Sequence, residues 1–310
     1  MGAGLDRDQG LSRGRHRAGR RTGPQPPHAA RRGPAPAPRL GLGLLLTAPL
    51  LWLGVLYLGS LAMLFVSAFW TTDSFTSAVV KVWSADNFHT LLTTPVYRQV
   101  TVRSIGVALA VTALCTVIAL PLAFCTACVA RPRLRPLLVV AVLTPLWASY
   151  LVKVYAWRLI LSQGGLADWL LRPLGLSGPG FGLPAAVLTL TYLWLPYMIL
   201  PVHTALARLP AGLLDASADL GARPWRTVRS VVLPLVLPSV AAGSVFTFSL
   251  SLGDYITVEI VGGKTQLIGN LVHSEIELDP PLAAALATVP VAVIVLYLLA
   301  LRRTGALSGL

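Results

Sequence analysis

Six long apolar runs constrain this chain more than any other feature. They occupy residues 42–70, 104–130, 137–161, 183–207, 231–255 and 282–301 of the 310 residues. Hydrophobic residues make up 55% of the chain and charged residues only 12%, a balance unlike that of soluble domains. A helix of about 20 apolar residues can cross the hydrocarbon core of a bilayer with all its backbone hydrogen bonds made. The sequence therefore predicts an all-α membrane protein with six transmembrane helices within residues 40–303.

Positive charge is concentrated in segments that alternate with these runs. Nine arginines precede the first run, and the segments after the second, fourth and sixth runs are also rich in arginine. Six alternating spans place all of these segments on one side of the membrane. Because lysine and arginine accumulate in cytoplasmic loops, the sequence predicts a multi-pass protein of the cell (inner or plasma) membrane with both termini in the cytoplasm. The net charge of +13 thus follows from topology, and we expect no nucleic-acid partner.

The two ends of the chain lie outside the apolar runs. Residues 1–39 are rich in Arg, Pro and Gly and contain almost no large apolar side chains. Such a composition cannot bury enough surface to fold, so we predict a disordered basic cytoplasmic tail. Residues 304–310 are predicted to form a second, short cytoplasmic tail.

The polar loop 208–230 lies between the fourth and fifth runs and has its own local pattern. Pro210 can open a helix, and Gly221 can adopt the left-handed conformation that ends one. These signals predict a short helix at about 211–220, with an apolar side formed by leucines. An ordinary interfacial helix between two spans would show the same periodicity.

Residue spacing in and after this loop resembles the "EAA" motif of ABC-importer permeases. That motif reads Glu-Ala-Ala, three residues, Gly, nine residues, Ile, one residue, Leu-Pro. The matching positions are Asp215, Ala216, Ser217, Gly221, Val231, Leu233 and Pro234. Asp replaces Glu, Ser replaces Ala and Val replaces Ile, whereas the Gly and the Leu-Pro are unchanged. Three further segments, 143–158, 248–257 and 268–271, resemble the spermidine/putrescine-type permeases, and in particular the first permease of their heterodimer.

The resemblance implies a type I ABC-importer permease-like bundle that imports polyamines or a related small solute. It also implies a second permease subunit, a cytoplasmic ATP-binding-cassette ATPase dimer and an extracytoplasmic solute-binding protein. ATP would be bound by the ATPase, so no cofactor is expected in this chain. The residues expected to dock the ATPase are Leu213, Leu214, Asp215, Ala216, Ser217, Asp219, Leu220, Gly221, Ala222, Leu233 and Pro234.

Asp254 is the candidate for contact with the solute. It directly follows the uncharged residues 230–253 of the fifth run, and a carboxylate there is costly unless it faces a partner or an aqueous cavity. The aromatic residues expected to line the same path are Tyr255, Trp147, Tyr150 and Tyr155. In the alternative interpretation, Asp254 pairs with Lys153 or Arg158 and only orients helices.

The remaining polar motifs give no reason to expect an enzyme or a metal site. Gly262–Thr265 lacks the first glycine of a phosphate-binding loop, and Cys125 and Cys128 lie in an apolar run without a nearby histidine. Two other functional classes stay open: a secondary transporter of a cationic solute, and a membrane anchor for a cytoplasmic partner. A secondary transporter would be expected to contain internal repeats, and none is evident.

Overall fold

The computed structural model describes residues 46–47, 49–73, 75–76 and 78–303. The predicted tails, 1–39 and 304–310, lie outside the described residues. The chain divides into two units, residues 1–54 and 55–310, and only the beginning of the first helix is described in the first unit. The second unit contains both candidate sites.

The described chain is mostly helical. Its helices are α1 (Pro49–Ser67), α2 (Asp86–Thr93), α3 (Pro95–Val129), α4 (Arg135–Trp147), α5 (Tyr150–Leu161), α6 (Leu166–Leu171), α7 (Leu183–Ala207), α8 (Ala211–Asp219), α9 (Pro224–Gly253), α10 (Ile256–Val261), α11 (Ile268–Leu278) and α12 (Pro280–Arg303). The strands β1 (Thr71–Thr72) and β2 (Val79–Val80) form a short antiparallel hairpin. Three helices contain π-helical turns: α1 at Trp52–Leu58, α3 at Cys125–Val129 and α9 at Val228–Val232.

Five of the described helices are individually long and apolar enough to cross a membrane: α1, α3, α7, α9 and α12. The pair α4 and α5 supplies a sixth span if it is counted together, but the two helices are bent by 95°. The segment 137–161, predicted as the third span, therefore contains two helices with a bend rather than one continuous helix. Ala148 and Ser149 adopt extended backbone between the two helices, and Pro145 has no N–H to continue the hydrogen bonding of the last turn of α4.

Several helices begin before the apolar runs that predicted them. α3 begins at Pro95 rather than near residue 104, and α9 begins at Pro224 rather than at 231. Proline is well suited to the first turn of a helix, because the N–H that it lacks would be unpaired there. The last part of the loop 208–230 is consequently helical and continuous with α9.

The centre of the bundle is formed by α3, α7 and α9, which pack against one another in pairs. Their contact surfaces combine branched side chains with small residues, a composition that lets membrane helices approach closely. Gly243 of α9 lies at a close approach to α7, because a Cβ atom there would lie 2.8 Å from Met198 Sδ and 3.2 Å from Met198 Cα.

The β-hairpin lies at the end of the bundle opposite the loop 208–230. Asp73 closes its turn by accepting hydrogen bonds from the backbone N–H groups of Phe75 and Thr76, each at 2.9 Å. These hydrogen bonds, with a third from the Thr76 hydroxyl, lower the pKa of Asp73. On the same side, Thr72 Oγ1 donates to Asp279 Oδ1 at 2.7 Å and so connects the hairpin to the start of α12.

The α7–α9 contact predicts the effect of a substitution at Gly243. Gly243→Val should lower the free energy of unfolding by about 1–3 kcal/mol, because the added atoms collide with the backbone of α7. Gly106→Val in α3 is the matched control, since no atom lies within 4 Å of a Cβ built there. The thermal midpoints of both full-length variants in detergent measure the difference. Equal midpoints would contradict the proposed close approach.

Candidate functional site

The loop 208–230 contains the short helix that its sequence predicts. α8 spans Ala211–Asp219, against a predicted range of about 211–220. Pro210 precedes it in extended backbone, and its carbonyl accepts a hydrogen bond from Leu213 N–H at 3.0 Å. The helix therefore begins directly after Pro210, as the sequence predicts.

Gly221 ends α8 through a left-handed turn. Its φ is +72°, the conformation predicted from the sequence. Gly221 N–H donates to Ala218 O at 2.8 Å, and Ala222 N–H donates to Ser217 O at 3.1 Å. This pair of hydrogen bonds is the Schellman arrangement, which pairs the last carbonyls of a helix. The turn fixes the direction in which the chain leaves α8.

A side-chain hydrogen bond connects α8 to the beginning of α9. Ser217 Oγ lies 2.8 Å from Thr227 Oγ1, and Ser217 is buried. Ser217 is the position at which the EAA pattern has its second alanine, and here its hydroxyl has a definite partner. This contact thus connects α8 to α9 in addition to the backbone.

The outer surface of α8 and its turn is accessible. Leu220 is 88% exposed and Leu213 is 41% exposed, a large solvent exposure for leucine. Asp215, Ala216 and Asp219 are also exposed, whereas Ala222 is half-buried. The side chain of Leu214 lies outside the described residues. Leu233 and Pro234 are part of α9, so the structure separates them from the exposed surface of α8.

Asp254 lies between α9 and α10 and is 8% exposed. Tyr150 Oη lies 2.6 Å from its Oδ1 and 2.7 Å from its Oδ2. Thr257 N–H donates to Oδ1 at 2.9 Å, and Thr257 Oγ1 lies 3.1 Å from Oδ2. Three neutral donors therefore surround the carboxylate. Because an ionised carboxylate has about four acceptor positions, one further donor can be accommodated.

No cation pairs with Asp254 among the described residues. The alternative interpretation, in which Lys153 or Arg158 pairs with it, is wrong for this structure. Arg158 instead lies over the ring of Phe181, with its guanidinium carbon 5.7 Å from the ring centroid. Neutral hydroxyl and amide groups hold the carboxyl group in place, and none of the described residues supplies a positive charge to it.

A cavity of about 300 Å³ adjoins Asp254. Tyr150, Tyr255 and Trp194 line it together with residues of the last turns of α9. Trp194 stacks on Tyr150 with ring centroids 6.2 Å apart, and its buried indole Nε1 has no hydrogen-bond partner among the described residues. Trp194 could not be predicted from the sequence, because it lies within the apolar run of α7 and only packing brings it near Asp254.

α11 packs against the turn formed by Asp254 and Tyr255. Asn270 Nδ2 donates to Tyr255 O at 3.0 Å, and the Tyr255 ring stacks on His273 at 4.6 Å between centroids. A Cβ at Gly269 would lie 3.1 Å from Tyr255 Cβ, so glycine permits the close contact. The structure thus brings together two of the segments that resemble the spermidine/putrescine-type permeases, 248–257 and 268–271.

Two predicted members of the aromatic lining lie elsewhere. Trp147 ends α4 and is 85% exposed, and Tyr155 on α5 is 52% exposed. Neither lines the cavity beside Asp254, and their place on the solute path stays a prediction. The bend between α4 and α5 separates Trp147 from the helix that carries Tyr150.

The other polar motifs have structural roles. Gly262–Thr265 forms a turn between α10 and α11, in which Thr265 N–H donates to Gly262 O at 3.0 Å and Gly263 has φ +60°. Cys125 and Cys128 lie in the π-helical turn at the end of α3, and both are free thiols.

Comparison with known proteins assigns this arrangement to a family. The family model described as binding-protein-dependent transport system inner membrane component matches residues 44–304. The chain is 43% identical over 290 residues to the inner membrane ABC transporter permease protein YdcU of Escherichia coli, covering 88% of this chain and 92% of that protein. It is 31% identical over 215 residues to the spermidine/putrescine transport system permease protein PotB of Escherichia coli, covering 68% and 77%.

The fold is similar to that of a solved importer. A bacterial alginate ABC transporter, in complex with an alginate pentasaccharide-bound periplasmic protein, matches with a TM-score of 0.61 and 16% identity over 86% of this chain and 95% of that one. At this identity the likeness concerns the type I fold alone. The family match covers α1 through α12 and both candidate sites. The chain therefore belongs to the binding-protein-dependent transport system inner membrane components, and it is a multi-pass permease subunit of an ABC importer.

Proposed function

We propose that this permease imports a polyamine or a related small cationic solute, and that Asp254 contacts the solute on its path. The observation that carries the proposal is a nearly buried carboxylate held by neutral donors, with no cationic partner among the described residues. A charge at such a depth is costly unless a mobile partner supplies the opposite charge. An ammonium group of the solute can be that partner.

The aromatic cavity supports the same class of solute. The rings of Tyr150, Tyr255 and Trp194 line it beside Asp254. Aromatic faces attract cations, most strongly when solvent is excluded. A carboxylate with adjacent rings therefore suits a chain that alternates ammonium and methylene groups. The name of PotB, a spermidine/putrescine permease, supports polyamines as the solute, whereas the name of YdcU specifies none.

The exposed surface of α8 is proposed as the docking site for a cytoplasmic ATPase. Its accessible leucines and carboxylates present a contact surface, and the Schellman turn at Gly221 holds that surface at a fixed angle to α9. This proposal requires the loop 208–230 and both termini to be cytoplasmic, as the arginine distribution predicts. A second permease subunit as a heterodimeric partner, an ATPase dimer and an extracytoplasmic binding protein complete the proposed importer.

In the proposed mechanism, α9 transmits movement between the two sites. Closure of the ATPase dimer on ATP displaces α8, and the Gly221 turn and the Ser217–Thr227 contact pass the displacement to α9. α9 is one helix of 30 residues, about 45 Å long, and it ends next to Asp254. Its movement changes the cavity at that end, so the carboxylate is exposed first to one side of the membrane and then to the other. The permease contributes shape and charge, and the ATPase contributes the energy.

The docking proposal predicts that Gly221→Val reduces both ATPase binding and uptake. A non-glycine residue in the left-handed conformation costs about 1–2 kcal/mol, which corresponds to a reduction of roughly five- to thirtyfold in the correctly turned population. Gly175→Val is the matched control, because Gly175 has φ +71° and lies outside the loop. Copurification of the ATPase and uptake by cells are measured for both variants. Normal ATPase binding by inserted Gly221→Val protein would rule out α8 as the docking helix.

The solute proposal predicts that Asp254→Asn loses uptake of spermidine or putrescine. A hydrogen bond to a charged group contributes about 1.5–3 kcal/mol, so uptake should fall at least about tenfold while expression and ATPase copurification persist. Tyr150→Phe is the comparison variant, because it removes a donor to the carboxylate but retains the charge. We expect it to retain more uptake than Asp254→Asn. Equal losses in both variants, or loss of assembly in Asp254→Asn, would indicate a purely structural carboxylate.

A further inference from the structure

A second cavity, distinct from the one at Asp254, lies at the end of the bundle that carries the loop 208–230. It has a volume of about 480 Å³ and is a groove between the end of α3 and the beginning of α9, with α7 behind it. Its size falls in the range of cavities that hold small molecules. Neither the docking of the ATPase nor the passage of solute, as proposed above, uses this groove.

The walls of the groove are apolar. Leu120 and Phe124 of α3 face Val228 of α9 across it, and the buried side chains of Val232 and Val236 extend its wall along α9. Leu233, which the resemblance placed among the docking residues, also lines the groove and lies apart from the proposed docking surface on α8. These walls offer almost no hydrogen-bond partners, so a polar solute or an irregular peptide backbone would lose its hydration without compensation. An occupant of the interior must be apolar.

The mouth of the groove has a different chemistry. Arg229 lines it and is exposed, and in the described part of the chain it forms no ion pair. Trp225 lies beside it and is 73% exposed. Tryptophan is enriched at the boundary between membrane and water, and arginine near that boundary attracts anionic lipid headgroups.

The groove runs along the helix axis from this mouth into the span. Arg229 and Val236 are seven residues apart on α9, which corresponds to about 10 Å along the axis. The mouth therefore lies at headgroup level when the far end lies among acyl chains. An occupant that is anionic at one end and apolar along its length matches this order.

Irregular helix geometry accounts for the opening. A π-helical turn, Val228–Val232, forms one side of the groove, and another, Cys125–Val129, directly follows the α3 residues on the opposite side. Pro121 also lines the groove and lacks the N–H that would bond to the preceding turn. π-helical turns inside α-helices occur frequently at functional sites. Here the two turns and the proline are located where α3 and α9 leave the groove open.

We propose that this groove binds one acyl chain of an anionic phospholipid from the leaflet that meets the loop 208–230, with the phosphate on Arg229. A bound chain would contact α9 just after the α8 turn.

Photolabelling of the full-length chain tests this site. The chain is reconstituted in phosphatidylcholine vesicles that contain a minor fraction of phosphatidylglycerol with a diazirine on one acyl chain. After irradiation, mass spectrometry identifies the labelled residues. We expect labelling to concentrate at residues 120–124 and 228–236. Labelling no stronger there than around Val117, an outward-facing residue of α3 that is 68% exposed, would overturn the proposal.

Two variants test the interior of the groove and its mouth separately. Val228→Trp fills the groove and should reduce its labelling at least about fivefold, whereas Val117→Trp places the same ring on an outward-facing position.

Arg229→Gln should reduce labelling by the phosphatidylglycerol probe about fivefold, since one arginine near the surface contributes roughly 1 kcal/mol. The matched control Arg302→Gln and a phosphatidylcholine probe should show no such loss. Unchanged labelling in Arg229→Gln would contradict the headgroup contact. If the importer's second permease subunit abolished labelling, the groove would be a protein interface and the lipid proposal would be wrong.

Discussion

The long helix α9 connects the two candidate sites of this protein. Its 30 residues begin at Pro224, within the loop 208–230, and end at Gly253, the residue before Asp254. A helix transmits displacement along its axis because each turn is hydrogen-bonded to the next. Gly221 and the Ser217–Thr227 contact fix the angle at one end, and the packing of Tyr255 on Gly269 fixes the turn at the other. The two candidate sites can therefore act as ends of one mechanical element.

The chemistry of Asp254 determines what such an element can do. Its carboxylate is held by Tyr150 and Thr257, and all of these donors are neutral. Pairing with lysine or arginine would have neutralised the charge permanently and made the residue a structural support. Membership of the ABC-importer permease family argues against a secondary transporter and against a membrane anchor. Under the proposed function, a cationic solute neutralises the acid beside the aromatic cavity during passage.

Local features were predictable from the sequence, whereas long-range contacts were not. The helix α8 and the left-handed Gly221 follow from proline and glycine chemistry within a few residues, and the structure confirms both. The bend between α4 and α5 could not be predicted from the sequence. A transmembrane helix often continues through a proline, because neighbouring helices can supply hydrogen bonds to the backbone groups that the proline leaves unpaired. Trp194 could not be predicted for a different reason. The sequence of an apolar run does not show which of its side chains faces a cavity, and only the packing of α7 places Trp194 on Tyr150.

If a displacement at α8 reaches the Asp254 turn through α9, ATP should change the accessibility of residue 255. Cys115, Cys125 and Cys128 are first replaced, and Tyr255→Cys is introduced into the assembled importer. The rate of its reaction with a polar maleimide is then compared with and without ATP. We expect ATP to change this rate when Gly221 is present, and we expect no change with Gly221→Val even when ATP hydrolysis continues. An equal response to ATP in both backgrounds would show that α8 and α9 do not connect the two sites.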